Sequence, residues 1–139
     1  MNAGLRELVW RRAESRCEYC RVPYLGDKLP FEIDHIIASK HQGPTTQDNL
    51  ALCCFSCNVH KGPNIAGIDP ETGEIVPLFH PRHDRWLEHF DWHGAVILGR
   101  TPKGRATIDV LLVNDPDRIS QREALIASGD LVIRGLPEV

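Results

Sequence analysis

Apolar residues at Leu5, Leu8, Val9 and Ala13 recur at helical spacing, and no Gly or Pro falls between Leu5 and Cys17. The pattern predicts a helix over about residues 3–15. After the knuckle Cys17-x-x-Cys20 comes a turn region with Pro23, Gly26, Asp27 and Pro30. The stretch from Phe31 to Ile37 opens with alternating apolar and polar residues and reads as a strand. A loop over about 39–48 separates it from a second short strand at 49–54, giving a hairpin with a long connection. Phe55 to Lys61 has no breaker until Gly62-Pro63 and reads as a short helix. Residues 62–81 are rich in Gly and Pro, with a turn over 69–74 between two short extended pieces. A strand pair around Gly94 follows, then Thr101-Pro102, a helix start with Thr as N-cap, and a final helix over 120–127. The elements divide into a core, residues 1–79, and a small αβ C-terminal extension, residues 80–139, packed on the same domain.

Composition narrows the class. At 139 residues, 42% hydrophobic and 25% charged, the chain is an ordinary globular domain, and fibrous, collagen-like and disordered readings are excluded. Its apolar runs are only a few residues long, such as Ala95 to Leu98, so no membrane span is expected. The opening residues carry no apolar signal core, and the cytosol is the expected compartment. There, five cysteines point to metal ligands rather than disulfides.

Two knuckles, Cys17-x-x-Cys20 and Cys54-x-x-Cys57, supply four thiolates. That set completes a tetrahedral zinc site with no open position, so its role is structural. Cys53 has the wrong spacing and is the spare. Between the knuckles, Asp34-His35 interrupts an apolar strand, and a buried ionisable pair is costly unless it is paired or binds metal. An isolated pair of this kind is most simply a histidine with its tautomer held by a neighbour. This pair is accompanied by Asn49 and by Asn58-x-His60-Lys61.

With those residues in place, the chain resembles the HNH endonucleases of the ββα-metal (His-Me finger) group in their zinc-knuckle form. The resemblance rests on Cys17-x-x-Cys20, Ile33-Asp34-His35-Ile36, Gly43, Asn49-Leu50, Leu52, Cys54-x-x-Cys57-Asn58-x-x-Lys61-Gly62, and covers about residues 9–63. It implies an α+β fold: a zinc-stapled ββα finger with an N-terminal helix. Residues 78–92 and Thr101-Pro102-x-Gly104-Arg105-Ala106 look like an extension found in some bacterial members. It also implies hydrolysis of DNA phosphodiester bonds. His35 matches the general base, Asp34 the first ligand of one divalent ion (Mg²⁺ or Mn²⁺), and Asn49 the residue that bridges the hairpin loop. The second ligand is Asn58, with His60 in reserve, although side chains two apart on a helix diverge. Asp34 and His35 should likewise face opposite sides of a regular strand, so sharing one site requires a strand end or distortion there.

Charge sits awkwardly with a polyanionic substrate, because the formal net charge is −3. Residues 1–21 and 80–105 each hold five basic and three acidic side chains, so phosphate contacts are expected from there. The candidates are Arg11, Arg12, Arg82 and Arg85, with Lys61 beside the second knuckle. His80 and His83 extend the same cluster, whose alternative reading is a solvated turn. Trp10, Trp86 and Trp92 are expected to anchor cores. The acidic balance also keeps open a second class: a non-catalytic zinc module that retains the fold to bind DNA or a protein.

Overall fold

A computed structural model describes residues 1–26 and 29–133. Asp27 of the expected turn, and residues 134–139 of the expected extension, lie outside the described residues. The chain divides into two compact units: Met1–Ile65 with His80–His83, and Ala66–Phe79 with the chain from Asp84. Residues 66–79 therefore fold with the later part of the chain, not with the core to which the sequence pattern assigned them.

The first unit begins with α1, Ala3–Arg12, capped by Asn2, whose side chain accepts from the Leu5 amide at 2.8 Å. The helix stops short of residue 15 because Glu14 and Ser15 adopt positive φ values of 53° and 55°. Val9 and Ala13 pack on Leu50 and Leu52, with Leu5, Trp10, Phe31 and Ile33 around them. The strands β1, Glu32–His35, and β2, Leu50–Cys53, pair antiparallel, with Asp34 opposite Ala51 and His35 opposite Leu50. All of β2 is buried, as its unbroken apolar run requires. The helix α2, Phe55–Lys61, follows directly and ends at Gly62, whose φ of 49° closes it. This is the ββα order implied by the sequence, with α1 added in front.

Asn49 holds the β1–β2 connection. Its side-chain oxygen accepts from the Ile37 amide at 2.8 Å, and its Nδ2 donates to the carbonyls of Ile37 and Pro44, both at 2.9 Å. The loop closes so tightly here that a Cβ on Gly43 would fall 1.7 Å from the Ile37 carbonyl oxygen. Only glycine fits.

In the second unit, β3, Ala66–Ile68, and β4, Ile75–Pro77, form a hairpin around the expected 69–74 turn. Asp69 organises that turn, accepting from Thr72 Oγ1, from the Glu71 amide and, in a fork at 2.9 Å, from Arg105 Nε and a terminal nitrogen. A short helix, α3, Trp86–His89, leads into the antiparallel pair β5, Phe90–His93, and β6, Val96–Gly99. Trp86 is buried against Phe90 and Trp92. Then come α4, Pro102–Leu111, capped by Thr101, and α5, Pro116–Ser128. The last helix begins four residues before the expected 120, at a Pro in its first turn behind Asp115, the same signal that located α4. No helix among the described residues is long and apolar enough to cross a membrane.

Candidate metal centre and neighbouring cleft

The four sulfurs of Cys17, Cys20, Cys54 and Cys57 are buried and lie within 4.8 Å of one another. Four sulfurs at about 2.3 Å from a central zinc would stand about 3.8 Å apart, and the Cys20–Cys54 separation is 3.7 Å. The donor set therefore fits a closed structural metal site such as zinc. Local backbone shapes both knuckles: the amides of Cys20 and Cys57 donate to the sulfurs of Cys17 and Cys54 at 3.5 and 3.4 Å. Cys53 lies outside the four-sulfur group, and burial, with Cys17 beside it, holds its thiol well above the ordinary value. The first knuckle is also sewn to β2. Glu18 donates its amide to Leu52 O at 2.9 Å and accepts the Leu52 amide on its carboxylate at 2.8 Å.

A cleft of about 340 Å³ opens beside the end of β1, and Asp34, His35, Ser39, Lys40 and Asn58 are among the residues lining it. His60 and Asn49 are not. Asp34 and His35 share the cleft because β1 ends at His35, so strict alternation no longer separates them. A larger open depression of about 1020 Å³ lies over α1, but its lining of Arg6, Glu7, Trp10, Arg11 and Glu14 mixes charges and brings no ligand set together.

Asp34 is only 7% exposed. Its Oδ2 accepts from the Tyr19 hydroxyl at 2.9 Å and faces Lys61 Nζ at 3.0 Å. Burial raises its carboxyl above the usual carboxylate value, against the opposing pull of Lys61 and Tyr19. His35 is half-buried, with Nε2 at 2.8 Å from Thr45 Oγ1. Tyr19, Thr45 and Lys40 were not singled out by sequence. Tyr19 carried a usable signal, since a buried tyrosine hydroxyl needs a partner. Thr45 and Lys40 carried none, because the loop fold alone brings Thr45 to His35 and Lys40 to the cleft.

Three expected phosphate contacts are placed elsewhere. Lys61 is 1% exposed, and besides Asp34 it donates to the carbonyls of Ile36 and His35 at 3.0 and 3.3 Å. Arg12 donates to the carbonyls of Gln47 and Leu50 at 2.8 and 2.6 Å, tying α1 to the hairpin. Arg82 pairs with Glu18 in a half-buried setting. The three ammonium donors of Lys61 are matched by these three acceptors, whereas each guanidinium, with five N–H donors, is anchored inward by part of its set. Arg11 and Arg85 are exposed.

Comparison with known proteins agrees with this geometry. Residues 17–64, the span that holds both knuckles, the hairpin and α2, match the HNH endonuclease family. More particularly, the chain is 24% identical over 118 residues to the Septu protein PtuB of Bacillus thuringiensis, a match covering 84% of this chain and 43% of that protein. The chain thus spans less than half the length of this relative. No solved structure gave a significant match.

Proposed function

We propose that the chain is a metal-dependent HNH endonuclease that hydrolyses DNA phosphodiester bonds. The observation that carries this reading is the convergence of Asp34, His35 and Asn58 on one cleft. Nε2 of His35 is engaged by Thr45, which leaves Nδ1 as the nitrogen that takes the proton of an attacking water. As that water bonds to phosphorus, a phosphodiester P–O bond breaks and the leaving oxygen develops charge. Asp34 and Asn58 fit a Mg²⁺ or Mn²⁺ ion, which usually takes one or two protein oxygens and keeps positions for water and substrate phosphate. Such an ion, when bound, neutralises charge on the leaving oxygen. Lys40, exposed at the cleft, suits a substrate phosphate.

Plasmid nicking with and without Mg²⁺ or Mn²⁺, comparing the native chain with His35→Ala, tests this directly. Loss of a general base lowers rate by about 10²- to 10⁴-fold. Cleavage by the variant within a few-fold of the native chain refutes the role. The commitment of Arg12, Lys61 and Arg82 to internal partners favours a second reading, a non-catalytic module that binds a protein rather than DNA. A chain that neither nicks nor retains DNA in either metal would support it.

A further inference from the structure

Tyr19 stands at the junction of the four-sulfur cluster and the cleft. It lies inside the first knuckle, between Cys17 and Cys20, and is 3% exposed. Its ring cannot drift, because Glu18 on one side is bonded to Leu52 in both directions and Cys20 on the other belongs to the four-sulfur cluster. Its hydroxyl reaches out of the knuckle and donates to Asp34 Oδ2 at 2.9 Å. Lys61, from the end of α2, meets the same oxygen at 3.0 Å. Both donors converge on Oδ2, and Oδ1 takes no hydrogen bond from the described residues.

We propose that Tyr19 is a positioning residue through which the zinc knuckle sets cation binding in the cleft. This rests on the reading of the cleft as a divalent-ion site. With Oδ2 saturated by Tyr19 and Lys61, Asp34 presents one oxygen, Oδ1, in a fixed orientation. A single carboxylate oxygen suits a small cation that demands octahedral geometry and retains water, whereas a larger cation tolerates bidentate capture. Partners that orient a metal-ligating group commonly contribute 10- to 100-fold in metal affinity. Tyr19 holds that position because the knuckle itself is rigid, so its hydroxyl links the four-sulfur cluster to the cleft. Phenylalanine keeps the ring that fills this space and removes only the hydroxyl.

The test is Mn²⁺ binding to the full chain, followed by electron paramagnetic resonance, with zinc content measured in parallel. Tyr19→Phe is expected to weaken Mn²⁺ about tenfold or more while zinc stays bound. Affinity within twofold of the native chain, or tighter, overturns the proposal. Asp34→Asn separates the two levels of inference. If it leaves Mn²⁺ binding unchanged, or if the native chain binds none, the cation reading of the cleft fails and this proposal fails with it. If Asp34→Asn abolishes binding and Tyr19→Phe has no effect, only the role of Tyr19 fails. A second measurement needs no variant. The chain has two tyrosines, so the Tyr19 ring carbon bearing the hydroxyl can be followed by nuclear magnetic resonance as Mg²⁺ is added. Its resonance is expected to shift with the midpoint of cation binding, and an unmoved resonance at saturation overturns the proposal.

Discussion

Lys61 Nζ lies 3.0 Å from Asp34 Oδ2, and the two side chains are 1% and 8% exposed. The pair joins the C-terminal end of α2 to β1 from inside the unit. Lys61 also donates to the carbonyl oxygens of His35 and Ile36 where β1 ends. A lysine that the motif offered as a phosphate contact is instead the counter-charge of the cleft's carboxylate.

Removing one member of such a pair strands the other charge, a loss of about 3–5 kcal/mol. Lys61→Met is expected to lower unfolding free energy by that amount in denaturant titration. The double variant Lys61→Met, Asp34→Asn should recover most of it. A Lys61→Met protein as stable as the native chain contradicts the pairing.

The four-sulfur cluster leads to a metal-removal prediction. Binding energy at structural zinc sites is folding energy, about 10 kcal/mol or more. Chelation or Cys57→Ser is expected to unfold the first unit, seen as loss of helical circular dichroism and of bound zinc by elemental analysis. Cys53→Ser should retain zinc, because its sulfur stands outside the cluster.

Surface assignments can be separated by salt dependence. Each neutralised phosphate contributes about −0.9 to the slope of log affinity against log salt on duplex DNA. Lys40→Ala is expected to reduce the slope by about that much with the fold intact. Arg82→Ala should act on stability instead, since its guanidinium is paired with Glu18. If the two variants show the reverse pattern, the assignment is wrong.

Asp69 is an acid-sensitive point of the second unit. The Arg105 fork holds its carboxyl well below the usual range, against burial and with help from the Glu71 amide and Thr72. A carboxyl with a depressed folded value binds fewer protons folded than unfolded, so its stabilisation is present above about pH 4. That contribution is lost as pH falls below this through the folded value. Asp69→Asn is expected to lower the melting temperature at pH 7 and to flatten its fall below pH 4. An unchanged acid limb in the variant rejects this role.

Local signals carried much of the fold. The bounds of α2 follow from an unbroken run ended by Gly62-Pro63, and the start of α4 from Thr101-Pro102. The knuckle spacing identified the four sulfurs that meet and excluded Cys53. These features depend on residues within a turn or two of one another, where backbone preference and ligand spacing act directly. The same rule applied at Asp115-Pro116 would have placed the start of α5.

Tertiary structure decided which charges face solvent. Nothing near Lys61, Arg12 or Arg82 in the chain marks them as internal. Each is committed by acceptors that arrive from distant segments: Asp34 and the end of β1, the carbonyls of Gln47 and Leu50, and Glu18 in the first knuckle. A long basic side chain reads the same in sequence whether it ends in water or on a buried carbonyl, because its burial depends on what packs over it. Tyr19, Thr45 and Lys40 reached the cleft or its residues by the same route. Sequence determined the elements and the chemistry available. Packing determined which oxygen of Asp34 meets Tyr19 and Lys61 and which basic side chains stayed exposed.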